Sequence, residues 1–200
     1  VAFSAIVTAV NALPNAIAAG IGSGTLEALL STRAPLARIV SGLVSFEFLW
    51  SAIRASLVLV AGWLLGAEIV WRQAVLGAGI MTLIVCAHAA IGLFLAAMVL
   101  AFRTTGPLAQ AVLAVSGLLG GVYYPTHVIP SWIQRLSDAV PLTYGLRALR
   151  RALLEGATAG AVANDMLALA GFAVVLGALS LASFWWALRH ARRSGTLTQY

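Results

Sequence analysis

Apolar residues gather along this chain in five long blocks, near residues 1–19, 38–64, 73–101, 107–124 and 166–188. A bilayer core is crossed by about 20 helical residues at a rise of about 1.5 Å each, and the blocks are on that scale. None alternates with period two, and all exceed the length of a barrel strand. The pattern therefore predicts an all-α membrane protein: a polytopic helical bundle of five spans forming one domain over residues 1–200. No internal repeat of 20–50 residues interrupts it.

Two stretches break the apolar pattern and read as amphipathic helices. The first is a short helix over 24–34. Thr25 can cap its N-terminus, and Glu27 stands in the first turn, where the helix dipole favours an anion. Leu26, Leu29 and Leu30 share a face by i, i+3, i+4 spacing, Arg33 lies in the last turn, and Pro35 ends the run. The second stretch, 125–156, is neither apolar enough to span nor polar enough to be a free loop. Trp132, Ile133, Leu136 and Val140 form an apolar stripe opposite Gln134, Arg135 and Asp138. A second stripe of Leu142, Leu146, Leu149 and Leu153 opposes Arg147, Arg150 and Arg151. Pro130 and Pro141 suit the two helix starts, Arg151 and Glu155 are spaced for an i, i+4 pair, and Gly156 suits a C-cap. This predicts a re-entrant or interfacial hairpin at the mouth of the bundle.

Composition agrees with the membrane assignment and narrows the function. Apolar residues make up 62% and charged residues 9%, against about 25% charged in soluble domains. The net charge of +6 is carried by arginines that read as interfacial anchors, not as a nucleic-acid surface. The twelve basic residues are all arginine. Without lysine the chain cannot build a G-x-x-x-x-G-K-[ST] phosphate loop, so nucleotide-driven work needs a separate ATPase. The one cysteine, Cys86, sits in an apolar block and reads as an inert buried thiol. Arginine counts barely separate the two sides. The cluster Arg189, Arg192, Arg193 after the last span places the tail, 189–200, in the cytosol.

Polar residues within the blocks are candidates for a translocation path, because charges at membrane depth need partners or a wet cavity. Glu47 and Arg54 lie on one helix face, about 10 Å apart along the axis. Asn11 and Asn15 share a face around Pro14. His88 has no carboxylate at i±3 or i±4 and reads as a hydrogen-bonded packing residue. Gly117 and Gly121 have the small-xxx-small spacing of close helix approach. No catalytic constellation and no metal-ligand set is visible.

Two ordered motifs resemble the membrane subunit of type 2 ATP-binding-cassette exporters. Gly24-Thr25-Leu26-Glu27-Ala28-Leu29-Leu30-Ser31-Thr32 resembles the family's cytosolic coupling helix. Gly121-Val122-Tyr123-Tyr124-Pro125, Ile129-Pro130-Ser131-Trp132, Pro141-Leu142-Thr143-Tyr144 and Leu149-Arg150 to Gly156 resemble its outer segment before the last span. The family's charged stretch before the coupling helix is replaced here by Ala19-Gly20-Ile21-Gly22-Ser23. The resemblance implies a chain that begins within span two of a six-span protein. It also implies pairing with a second, identical or homologous, permease, and contact with membrane lipids. ATP and Mg would sit on a partner ATPase subunit and no cofactor on this chain. The location implied is the cell membrane, the bacterial cytoplasmic membrane. Coupling then falls to Thr25, Leu26, Glu27, Leu29, Leu30 and Arg33, and an outer gate to Tyr123, Tyr124, Pro125, Pro141, Tyr144 and Arg150. The implied substrate is amphipathic: a lipid-linked glycan, a lipid, or a hydrophobic drug or antibiotic.

Two other classes compete. An intramembrane enzyme needs a nucleophile and base or a metal, and neither G-x-S-x-G nor H-E-x-x-H is present. A passive membrane scaffold would use similar helices without any ATPase partner.

Overall fold

The computed structural model describes residues 2–23, 42, 49–50, 52–54, 56–58, 60–66, 71–102, 107–123 and 130–193. The expected coupling helix at 24–34 lies outside the described residues, as do Glu47, Tyr124 and Pro125. The described residues form six α-helices of clear extent: α1 (Ala2–Gly22), α2 (Ala74–Phe102), α3 (Pro107–Leu119), α4 (Ser131–Ser137), α5 (Pro141–Leu153) and α6 (Ala159–Arg193). Helical residues recur within 52–64, and a one-turn 3-10 helix, Trp71–Gln73, leads into α2. No strand occurs among the described residues.

Among the described residues, three helices are long and apolar enough to cross a membrane: α1, α2 and the Ala159–His190 part of α6. All three run in the same direction, as two stacked layers of core show. One layer joins Ile6 and Val10 of α1, Ile80 and Ile84 of α2, and Val162 and Leu169 of α6. The other joins Leu13 and Ile17, Ala96, Ala97, Val99 and Leu100, and Phe184, Ala187 and Leu188. Both layers follow each helix from its beginning towards its end.

Returning the chain between parallel spans falls partly to α3, which has 13 residues and is about 20 Å long. The expected span at 107–124 is shortened because the chain turns at Gly120 and Gly121, the latter with φ of 78°. An L side chain rarely adopts that conformation. The hairpin of α4 and α5 then occupies the remaining depth. The last helix, expected from 166, begins at Ala159: Ala159, Ala161 and Ala163 favour helix and outweigh the single Gly160.

Helix contacts depend on small residues, since lipid offers no hydrophobic drive to bring helices together. A Cβ on Gly92 of α2 would stand 2.5 Å from the Ala9 carbonyl oxygen and 3.1 Å from that of Val10 in α1. Pro14 lacks the N–H that would have bonded the Val10 carbonyl, so that oxygen is open to a close backbone approach. Ser180 of α6 donates to the Ala90 carbonyl of α2 at 2.6 Å. The outward faces are apolar, with Val174, Val175, Leu179 and Leu181 of α6 exposed, as suits a surface solvated by lipid. Trp185 and Trp186 follow near the end of α6, and Trp186 stacks on His190 at 5.5 Å. These residues match the aromatic and cationic edge of a membrane span.

Gly92→Val must push α1 and α2 apart. Overpacking of this kind costs about 1–3 kcal/mol, so melting of the purified protein should fall by several degrees. Gly79→Val is the control, because nothing lies within 4 Å of a Cβ there; it should melt as the parent does.

Candidate functional site

The hairpin forms because α4 and α5 are stitched together by side chains at the start of α5. Pro141 occupies the first helical turn and is buried. Thr143 Oγ1 donates to the Ser137 carbonyl at 2.7 Å, and the Tyr144 hydroxyl donates to the Asp138 carbonyl at 2.9 Å. The chain reverses over three residues between the helices, and its backbone groups are satisfied locally. Val140 N–H donates to Ser137 and Thr143 N–H to Val140.

One face of α5 sinks into the bundle. Leu142, Ala148 and Ala152 are fully covered, and Leu146 is buried beside them. Gly145 makes the depth possible: a Cβ there would lie 2.4 Å from Cγ1 of Ile84 in α2. Further along, Leu153 fills the space over Gly77, so α5 runs antiparallel to α2. The hairpin is therefore packed lengthwise against α2. At the end of α5, Gly156 takes a φ of 67°, and Ala157 N–H returns to the Arg151 carbonyl at 2.9 Å.

The opposite face of α5 is held by charge. Arg147 donates to Asp165 Oδ1 through both Nε, at 3.0 Å, and Nη2. Arg151 Nη1 stands 3.9 Å from Asp165 Oδ2. Asp165 lies nearly two turns into α6 with its carboxylate almost covered, while the two guanidinium groups are half exposed. Arg147 also lies 5.2 Å over the Tyr144 ring, which in turn meets Phe172 of α6 at 5.8 Å. Arg150 takes a third direction and donates to the Gly121 carbonyl at 2.7 Å, fastening α5 to the turn that ends α3.

These contacts revise several expectations. Arg151 faces Asp165 rather than Glu155, which is exposed past the helix end. A helical i, i+4 pair needs both residues within the helix, and α5 stops at Leu153. Trp132 and Leu136 of the α4 stripe point outward, while Ser137 is the buried residue of that helix. A hairpin set in a membrane has lipid as well as protein to cover its apolar residues. Gly117 packs against Phe3 as its spacing suggested, but Gly121 serves backbone conformation instead. Cys86 is exposed rather than buried, on the flank of α2.

Of the expected gate residues, Pro141, Tyr144 and Arg150 are brought together in the hairpin and its anchor. Tyr123 is exposed beside Phe3, with ring centroids 6.3 Å apart. The expected path residues do not converge among the described residues. Arg54 is exposed, Asn15 is exposed, and Asn11 donates to its own helix at the Val7 carbonyl, 2.9 Å away. Asp165 went unnoticed in the sequence. The available signal was an acidic residue just before an apolar block, in a chain with six acids in all.

Parallel apolar helices and a packed amphipathic hairpin define a polytopic α-helical membrane protein. The ABC-2 type transporter family model matches residues 1–154, and the chain belongs to that family. It is thus a membrane permease component of an ABC-type transporter, associated with an ATPase subunit and not itself the ATPase. No curated protein and no solved structure matches it.

Asp165→Leu leaves two guanidinium groups of α5 without their carboxylate. A hydrogen bond to a charged group contributes about 1.5–3 kcal/mol, so amide exchange in 141–153 should quicken by roughly tenfold or more. Glu155→Gln should leave exchange there unchanged. Hydrogen-exchange mass spectrometry of both variants tests the assignment.

Proposed function

We propose that this chain is one half of an ATP-driven exporter. It would pair with a second permease copy or a homologue in the cell membrane of a bacterium and move an amphipathic substrate out of the cytoplasm or inner leaflet. Lipid-linked glycans, lipids and hydrophobic drugs or antibiotics are the substrate class. ATP and Mg are held by the partner subunit, and this chain binds no cofactor of its own.

The observation that carries the reading is the hairpin of α4 and α5. It plugs the depth that α3 leaves uncrossed, with apolar packing on one face and half-exposed ion pairs on the other. Such an element can be lifted without unfolding the three long helices. Tyr123, Tyr124, Pro125, Pro141, Tyr144 and Arg150 act in this reading as the outer gate. At the other end, the 24–34 helix takes force from the ATPase through Thr25, Leu26, Glu27, Leu29, Leu30 and Arg33. Glu47, Arg54, Asn11 and Asn15 belong to the path between them. A substrate with a lipid tail needs no closed aqueous tunnel, because its tail can stay in lipid while the headgroup crosses.

The coupling role is tested with the permease and its ATPase co-purified and reconstituted into vesicles. Glu27→Arg reverses a charge, and Leu29→Asp removes an apolar contact. Each should weaken ATPase capture at least about tenfold, equivalent to about 1.4 kcal/mol, and abolish substrate-stimulated hydrolysis. Full capture and full stimulation in both variants would overturn the reading.

A further inference from the structure

His88 is fully buried in α2, and its two ring nitrogens have different fates. Nδ1 lies 2.8 Å from the Ile84 carbonyl oxygen. A carbonyl only accepts, so Nδ1 carries the proton, and in the neutral ring Nε2 is a bare acceptor. Nε2 has no hydrogen-bond partner, the one such buried side-chain atom among the described residues. Buried acceptors are nearly always satisfied. In a span the simplest packing residue at this position would be apolar.

Its position in the fold suggests what the acceptor serves. Gly145 of α5 rests on Ile84, and Leu153 of α5 rests on Gly77, which fixes the antiparallel register of the two helices. Four residues from Gly145 to Pro141 and four from Ile84 to His88 each span about 6 Å. His88 is therefore level with the deep end of α5. Around α2 it lies about 40° from Ile84 and about 40° from Gly92, between the contact with α5 and the contact with α1. Raising α5 would expose this face of α2 first at its deep end.

We propose that His88 Nε2 is a binding point for a hydrogen-bond donor on the transported headgroup, a hydroxyl or amide N–H, covered by α5 at rest and uncovered when the hairpin lifts. This rests on the exporter reading and adds to it the substrate's chemistry: a donor-bearing headgroup such as a sugar on a lipid tail. Purely apolar cargo gains nothing from the site. The acceptor is left unsatisfied at rest, so the donor is gained only in the open state.

The test uses the complete complex of permease and ATPase in lipid nanodiscs. Diethyl pyrocarbonate labels accessible imidazole, and peptide mass spectrometry localises the label. His88 should be protected without nucleotide and labelled at least about fivefold more in the ATP-vanadate state, with exposed His190 labelled in both. An octyl glucoside probe should stimulate hydrolysis in the parent and in His88→Gln, which keeps an acceptor near the Nε2 position. In His88→Leu, stimulation should fall about fivefold, the worth of a hydrogen bond. A matched octyl trimethylammonium probe, without a donor, should act alike on all three.

If His88 stays unlabelled in both states, or His88→Leu responds to the glucoside as the parent does, His88 is a packing residue and the proposal fails. If the parent complex shows no nucleotide-dependent labelling anywhere and no stimulation by either probe, the exporter reading falls with it. The labelling arm uses the parent protein, so it holds even where His88→Leu fails to fold.

Discussion

A helix of thirteen residues cannot cross a bilayer, and the arrangement of this protein follows from α3 being that length. Because α1, α2 and α6 run parallel, the chain must come back across the membrane between α2 and α6. It climbs partway as α3, turns at Gly120 and Gly121, and leaves the rest of the depth to be filled. The hairpin fills it. Irregular backbone at that depth is tolerated only where protein covers it, and the turns at both ends of the hairpin satisfy their polar groups locally.

That solution explains the amphipathic character of α5. Its leucine and alanine face meets α2, α3 and α6, with Gly145 admitting Ile84 closely. Its arginine face cannot be left in hydrocarbon, and α6 supplies a nearly covered carboxylate from Asp165. A buried charge pair gains little net stability over apolar packing, whereas losing one partner is costly. The pair thus fixes where α5 sits more than how tightly it sits. Arg150, bonded to the Gly121 carbonyl, ties the same helix to the end of α3. The hairpin is located from two sides by polar contacts and from beneath by a glycine.

Periodicity in the sequence was sufficient to read the helical membrane class, the apolar blocks and the paired amphipathic helices, since length and hydropathy determine them. The packing of the hairpin against α2 was not legible. An amphipathic helix has the same pattern whether it lies in the interface or is sunk beside other helices, and only Gly77 and Gly145, unremarkable in sequence, mark the second case. Trp132 and Leu136 misled for a related reason: in a membrane an apolar stripe can face lipid instead of core. Asp165 escaped because hydropathy alone started the last block at residue 166, one position after it. Helix geometry carries α6 back to Ala159 and places that carboxylate opposite Arg147 and Arg151. The coupling motif at 24–34 and Glu47 lie outside the described residues.

The two ends of the bundle differ in a way that suits directional work. Away from the hairpin, α1, α2 and α6 meet through a layer of apolar side chains, Leu13, Ile17, Ala96, Val99 and Phe184 among them. Packed apolar layers resist continuous deformation and move as bodies. At the hairpin end, α5 is held by half-exposed guanidinium groups, a single carboxylate and one backbone carbonyl, all of which water or headgroups can replace as they separate. A push delivered to the rigid end would therefore be expressed where contacts exchange most cheaply. Within the export cycle proposed for this chain, the hairpin yields before the helices that carry the force.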